Sequence, residues 1–434
     1  MIAKLRHALH RRQQPARYVH VHDLLETQAL GREAVLAKQQ HDLERIVRFA
    51  AAHAPYYGET LAPLLHHDGF DFARLPILGK DDVVRRLNDL LVRGTDQARV
   101  KLGHTGGSTG KPLAFWYDDA KHELMRAGMM RSYMFSGWRP GQKILNFWGA
   151  RQDVAAGGVF GTQLGDFIAA ERTIAAHEYT EAQLRTWARI IQTYRPTLLQ
   201  GYASVLSEVA RFVLSARVAM PNTLIGIYST AEVLTQAQRE RMEQAFGCKA
   251  FNQYGSREIP NIACECQRGN MHVFTDMVYL ESVGIEGEDR LLVTSLTNRL
   301  MPFIRYDIGD TGRLLEGECD CGLPFPLMEM NMCRQNDLIL TRSGMTVHPS
   351  YFNRLLYGMT QIRQYQWVQR GLASLELNLV ADRPLSLETR ASLEMQLRSE
   401  VDADLTLDVN YLDHIPKTSS GKHRFVMRKT KDSG

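Results

Sequence analysis

No apolar run in the sequence approaches the roughly 20 residues needed to cross a bilayer, which excludes an ordinary membrane-spanning helix. Charge of one sign is not in excess either. The 52 Lys and Arg stand against 48 Asp and Glu, a net of +4. That surplus is too small to argue for a nucleic-acid-binding surface. Internal repeats and low-complexity linkers are absent, which sets aside repeat arrays. The first residues lack the apolar core of a signal peptide. They also lack Ser, which a transit peptide favours, and no acid appears before Asp23, although Lys4, Arg6, Arg11, Arg12 and Arg17 do. The expectation is a solvated amphipathic surface helix, with weak membrane-surface contact as the lesser option. A cytoplasmic protein is expected. Only six Cys occur, and they are not spread like a disulfide framework.

What is present is ordinary for a soluble enzyme: 44% hydrophobic and 23% charged residues in a chain of 434. That length is too great for one core and predicts two or three domains. Apolar residues Leu43, Ile46, Val47 and Ala50 have helical spacing, and Pro55 ends that helix. Residues 143–149, 197–202 and 224–230 read as buried strands, whereas 181–193 and 235–246 read as helices. Strand–helix alternation predicts an α/β domain with a largely parallel sheet. Residues 278–315, with a strand at 291–296, predict a smaller β-rich subdomain. Near the C-terminus Leu375, Leu377 and Leu379 alternate with polar residues. Leu393, Leu397 and Val401 then have helical spacing, and Leu405, Leu407, Val409 and Tyr411 alternate again. A separate small α+β domain of about one hundred residues is expected there.

Residues 103–112 read GHTGGSTGKP. Glycines let backbone N–H groups converge on an anion, and Thr105, Ser108, Thr109 and Lys111 add donors and charge. The Walker pattern fails here, because Thr105 stands five before Gly110 and Pro112 follows Lys111. Alone, such a loop is as readily a flexible surface turn.

The loop does not stand alone. It resembles the Ser/Thr/Gly-rich phosphate loop of the adenylate-forming superfamily, which includes acyl-CoA ligases and nonribosomal adenylation domains. Tyr254–Glu258 (YGSRE) resembles the Tyr-Gly-x-Thr-Glu motif, Arg305–Asp310 (RYDIGD) the Tyr-x-Thr-Gly-Asp motif, and Pro416–Arg424 (PKTSSGKHR) the Pro-x-Thr-x-x-Gly-Lys motif. All four occur in the superfamily's order. Pro55-Tyr56-Tyr57, Gly201-Tyr202 ahead of Ser204, the Cys/His segments and the short length are most similar to the phenylacetate–CoA ligase branch, which also holds capsule-biosynthesis-type relatives.

The resemblance implies a large N-terminal domain, residues 1–333, that binds ATP and the acid. It also implies a small mobile C-terminal lid, 334–434, hinged near Asn336 and Asp337. The implied reaction joins a carboxylate to the α-phosphate of ATP, releases pyrophosphate and passes the acyl group to CoA. A carrier-protein thiol or an amine is the alternative acceptor, and a non-catalytic nucleotide-binding relative is a third reading. Thr105, Ser108, Thr109 and Lys111 would hold phosphates. Glu258 would bind Mg2+, Tyr254 would lie by adenine, Asp310 would accept the ribose hydroxyls, and Arg334 would bond ribose or phosphate. Lys422, in its Ser-Ser-Gly-Lys loop, would bind the carboxylate and α-phosphate. Trp148, Gly149, Tyr202, Ser229, Ala231 and Tyr254 would face an aryl or similar small acid. A homodimer stays open. Ser256-Arg257 and Asp307-Ile308 depart from the usual motifs, so an α-phosphate hydroxyl must come from elsewhere or be missing.

Cys264-x-Cys266 and Cys319-x-Cys321 stand about fifty residues apart, with His272 six after the first pair. Thiolates and an imidazole from two loops suit tetrahedral zinc, and Cys separated by one residue make poor disulfide partners. Metal-binding positions in the resembling branch favour Cys266, His272, Cys319 and Cys321, with Cys264 as alternate. Four protein ligands would make the zinc structural. Free thiols with unrelated burial are the plainer reading.

Overall fold

The computed structural model describes the chain except Asp68 and residues 105–112, 149–158, 161–163, 177–179, 233, 235, 286–287, 331–338, 343–345, 348–350, 353–354, 357–358, 360, 416–425 and 429–434. The chain divides into two compact units: Met1–Thr105 with Ala114–Met330, and Gly106–Leu113 with Asn331–Gly434. Among the described residues no helix is long and apolar enough to cross a membrane.

The first unit is organised by one 12-stranded sheet. Its middle is parallel: Ala250–Tyr254, Gly226–Thr230, Leu198–Tyr202, Ile144–Trp148 and Glu171–Ala175 lie side by side in that order. Short Val159–Phe160 closes one edge antiparallel. On the other side the sheet continues through Ala263–Glu265, Met271–Val273, Leu327–Met330, Tyr306–Leu315, Glu288–Ser295 and Val278–Ile285, all antiparallel. The β-rich part expected from residues 278–315 is therefore an extension of the same sheet.

Helices cover the parallel strands for reasons visible in their sequences. Glu181–Tyr194 starts in a capping box: the Gln183 side chain accepts from Thr180 N at 2.7 Å, and Thr180 Oγ1 accepts from Gln183 N at 3.3 Å. It ends at Arg195, whose φ of 52° is left-handed. Between these caps Leu184, Trp187, Ala188 and Ile191 recur on one face and are buried. They pack on Phe147, Leu199 and Ile227 together with helices Ala203–Ser215 and Gln236–Phe246. Each large side chain so buried contributes about 1.5–3 kcal/mol. Gly201 has to be glycine here, because a Cβ would stand 2.6 Å from the Phe147 carbonyl oxygen.

The opposite face is covered by helix Asp119–Met134. Tyr133 meets Tyr228 edge-on at 5.1 Å, and Tyr228 stacks on Phe251 at 4.9 Å. The N-terminal segment forms helices Ile2–Gln13, Pro15–Gln28 and Arg32–His53. Arg17 binds Glu123 of helix Asp119–Met134 through two nitrogens, at 2.8 and 3.0 Å. Buried Gln39 donates to the Val278 carbonyl at 2.8 Å, and buried Tyr57 donates to Pro302 O at 3.0 Å while accepting from Ile304 N at 3.1 Å. The Pro-Tyr-Tyr segment thus pins the N-terminal helices to the chain leading into strand Tyr306–Leu315.

The second unit holds a four-stranded sheet in the order Thr406–Tyr411, Ser374–Ala381, Ile362–Gly371, Val426–Arg428. Helix Leu387–Glu400 packs on it through Leu393 and Leu397, in a core with Trp367, Phe352 and Leu377. The strand Ile362–Gly371 was not expected: only Trp367 and Val368 among its residues are strongly apolar and buried, and Gln366 and Gln369 are buried beside them. Gln369 is satisfied by the backbone of Leu340, accepting from N at 3.0 Å and donating to O at 2.7 Å.

Candidate active site and Cys/His cluster

Two segments of the first unit carry the best-defined part of the site. One is the turn leaving strand Ala250–Tyr254. Ser256 N donates to Ile259 O at 2.9 Å and Ser256 Oγ accepts from Ile259 N at 3.0 Å, so the turn is locked and Glu258 is held inward, only 3% exposed. The other is strand Tyr306–Leu315. Between them Tyr254 donates its hydroxyl to Asp310 Oδ2 at 3.0 Å, and Tyr306 donates to Glu258 Oε1 at 3.1 Å. Glu258 Oε2 is enclosed and has no partner among the described residues.

Burial pushes both tyrosine hydroxyls well above their ordinary pKa, and the carboxylates Asp310 and Glu258 add to it. Both phenols therefore remain donors at neutral pH. Asp310 is open to solvent, yet crowding around its carboxyl pushes its pKa up, against the pull of Lys80 and the Tyr254 hydroxyl. Gly309 has φ of 89°, and a Cβ there would meet Lys80 Nζ at 2.9 Å, so the Lys80 ammonium lies against this strand.

Sequence reasoning missed Lys80 and Lys121. Lys121 donates to the Glu258 carbonyl at 2.7 Å and sits 5.0 Å from the Phe115 ring centroid. Burial drives its pKa down to about 8, while Glu258 and Asp118 oppose the shift. No motif flagged it. The only sequence hint is a Lys in the first turn of a helix, beside Asp118, whose side chain caps that helix by accepting from Lys121 N at 2.8 Å.

The two motif departures have separate explanations. Asp307 pairs with Arg290 at 2.5 Å and accepts from Gly309 N at 3.0 Å, so it shapes the strand. Arg257 donates to the His104 carbonyl at 3.1 Å, immediately before the glycine-rich loop. Thr105, Ser108, Thr109, Lys111, Gly149, Arg334, Asn336, Asp337 and Lys422 lie outside the described residues.

The expected acid-binding residues divide between the two faces of the sheet. Trp148 and Tyr202 meet at 5.2 Å between centroids, at the carboxyl ends of their strands, where open parallel sheets bind ligands. Ser229 is fully buried. Its register with Gly201 and strand alternation put it on the face carrying Leu199 and Ile227, packed by helices. Ala231 is exposed just beyond that strand, with a left-handed φ of 67°.

Cys266, His272, Cys319 and Cys321 converge, with their ligand atoms all within 4.8 Å of one another. Cys266 Sγ is 3.8 Å from Cys319 Sγ, and Cys321 Sγ is 3.3 Å from His272 Nε2. Backbone N–H groups of Arg268 and Leu323 point at Cys266 and Cys321 sulfurs at 3.3 and 3.5 Å, and Asn270 Nδ2 donates to Cys319 Sγ at 3.1 Å. His272 is fully buried, which lowers its pKa, and its Nδ1 bonds to Phe325 O at 3.0 Å. A neutral ring donating from Nδ1 leaves Nε2 as a lone pair facing the sulfurs, as metal-binding imidazoles require. Burial and the neighbouring sulfurs push Cys321 up to about 12, a penalty that a bound cation would remove. Cys264 is not part of the group: its thiol faces the Glu265 carbonyl at 3.5 Å. Beneath the cluster, buried Arg131 binds Asp276 in two places, at 2.5 and 3.0 Å, and stacks 4.1 Å from Phe274 and 5.2 Å from Phe325. The carbonyl of that same Phe325 orients His272.

Comparison with known proteins agrees with this geometry. Residues 339–429 match the family described as CapK C-terminal domain. A phenylacetate-coenzyme A ligase from Thermus thermophilus is 26% identical over 432 residues, covering 94% of this chain and 92% of the relative. Protein CapK from Staphylococcus aureus is 24% identical over 370 residues, covering 82% and 80%. The crystal structure of 2-hydroxyisobutyryl-CoA ligase with 2-HIB-AMP and CoA in the thioesterification state superposes with a TM-score of 0.62 at 17% identity, covering 93% of this chain and 91% of that one, a likeness of fold. Four motifs in order, a fold shared with a CoA ligase and relatives matched over most of their length make this chain similar to the phenylacetate–CoA ligases and to protein CapK.

Proposed function

We propose that the protein activates a small carboxylic acid with ATP, forming an acyl-AMP and pyrophosphate, and then transfers the acyl group to CoA. The observation that carries this reading is the paired arrangement of Tyr254–Asp310 and Tyr306–Glu258 on adjoining segments. Asp310 offers two acceptor oxygens for two vicinal ribose hydroxyls, with Tyr254 donating to one of them. Glu258 offers one unpartnered oxygen for Mg2+. When bound there, Mg2+ would offset charge on the triphosphate. Tyr306 fixes the carboxylate through its other oxygen, and Lys121 fixes the peptide that carries it.

Thr105, Ser108, Thr109 and Lys111 are assigned to the β- and γ-phosphates and Arg334 to ribose or phosphate. Lys422 is assigned to the α-phosphate and the attacking carboxylate, where a preorganised charge matters most. A lid formed by residues 334–434 and hinged at Asn336–Asp337 belongs to the same proposal. Trp148 and Tyr202 favour an aryl acid, since rings bind well against rings. Zn2+ is assigned to Cys266, His272, Cys319 and Cys321. The donor set of three sulfurs and one imidazole, with N–H groups aimed at the sulfurs, fits that ion. Four protein ligands leave it a structural role.

The test is an acid panel incubated with ATP and Mg2+, with and without CoA, read by product mass. Acid-dependent AMP with an acyl-CoA thioester is expected. Acyl-AMP that accumulates unchanged in the presence of CoA would redirect the second step to a carrier-protein thiol or an amine.

A further inference from the structure

A row of polar side chains crosses the helix-119–134 face of the parallel strands, where an apolar wall would be simpler. Tyr133 donates its hydroxyl to Gln200 Oε1, and Gln200 Nε2 donates to Gln253 Oε1 at 3.1 Å. Gln253 directly precedes Tyr254. These three satisfy one another. Asn146, in register with Gln200 on the neighbouring strand, does not share in the chain. Its Nδ2 reaches Thr173 Oγ1 at 3.5 Å, and its Oδ1 is enclosed without a partner among the described residues. An enclosed acceptor left unpaired is disfavoured, so this oxygen marks a place that something else completes.

Alternation puts Asn146 and Trp148 on one face of the same strand, about 7 Å apart along it. That is close to the span of an aromatic ring with one substituent. A ring lying against Trp148 and Tyr202 can therefore direct a substituent at Asn146 Oδ1.

Resting on the ligase reading above, we propose that the acid this chain activates is an aryl acid bearing a hydroxyl or amino group, and that Asn146 is the residue that selects it. Oδ1 accepts a hydrogen bond from the substituent, and Thr173 holds the amide so that the oxygen faces the ring. A site with a buried acceptor rejects the analogue lacking the donor more strongly than an apolar slot rejects a misfit.

The test is ATP–pyrophosphate exchange with phenylacetate and benzoate, each against its hydroxy, amino and methoxy derivatives. Wild-type protein should favour hydroxy or amino acids over the unsubstituted parent by at least about tenfold in kcat/KM. Methoxy derivatives, which cannot donate, should gain nothing. Asn146→Leu should bring the ratio of hydroxy or amino acid to parent close to one, with ATP binding retained as the check on folding. Equal or better exchange with the parent acids, or with methoxy acids, overturns the proposal and leaves the ligase reading standing. A preference that survives in folded Asn146→Leu also overturns it. Exchange with no acid at all removes the ligase reading and this inference together. Should Asn146→Leu not fold, the wild-type ranking decides alone.

Discussion

Tyr306 holds one oxygen of the Glu258 carboxylate at 3.1 Å and leaves the other without a partner among the described residues. A buried carboxylate prepared in this way is set up for a cation. Glu258→Gln should retain the Tyr306 contact, because an amide oxygen also accepts, but lose the charge. Acid-dependent exchange should fall by roughly 100-fold or more, the scale of removing a preorganised electrostatic group, and the Mg2+ needed for half-maximal rate should rise. Titration of exchange against Mg2+ measures both.

Asp310→Ala should act mainly on nucleotide binding. The ribose hydroxyls would lose their acceptor, and Tyr254 would lose its hydrogen-bond partner. The KM for ATP should rise about tenfold or more, with the KM for the acid little changed, and Tyr254→Phe should show a smaller rise. Steady-state kinetics with each substrate varied in turn separate the two parameters. An unchanged KM for ATP would remove Asp310 from the ribose.

Much of this was legible in the sequence, and the reasons for the rest are physical. Buried strands such as 198–202 and the amphipathic helix beginning at Glu181 show their period directly. The convergence of Cys266, His272, Cys319 and Cys321 was implied by the resemblance to the phenylacetate–CoA ligase branch; spacing by itself left Cys264 open as well. Lys121 was not identifiable: its role depends on a carbonyl 137 residues away, and carbonyl positions leave no mark in sequence. Ser229 shows a related limit: it is expected to face the acid, and strand register sets its side chain on the helix-packed face. A one-residue difference in strand register decides which face a side chain takes, and the motif alone does not state it. Asn146 gave no signal because its distinguishing feature is a missing partner.

Lys422→Ala tests the C-terminal loop. Acyl-adenylate formation should drop by roughly two decades or more, with ATP binding largely kept, because the proposed role puts the Lys422 charge where the acid meets the α-phosphate. Near-normal exchange in the variant would reject the role.

The purified protein should carry about one zinc per chain. Cys319→Ser and His272→Ala should each lose the metal and lower Tm, since the ligands join the loop before strand Leu327–Met330 to strand Met271–Val273. Elemental analysis with thermal melts checks both. Metal-free protein prepared without chelator would contradict the assignment.

Lys121 makes a prediction about alkaline stability. Its folded pKa, about 8, lies below the ordinary lysine value of 10.5. Between those values the unfolded chain holds a proton that the folded protein has released, so stability gains with rising pH across that window. Below about pH 8 both states are protonated and the penalty for the buried charge is constant. Lys121→Met should remove this gain, so the difference between wild type and variant should shift in favour of wild type from pH 8 to 9.5. Urea unfolding at several pH values reads it, and a pH-independent difference would show that the ammonium is well solvated.

Adenylation leaves its mark in the form of the spent nucleotide. With ATP, Mg2+, CoA and an accepted aryl acid, AMP and pyrophosphate are expected in equal amounts, both absent when the acid is left out. ADP and inorganic phosphate in their place would show an acyl-phosphate route and rule out an acyl-adenylate.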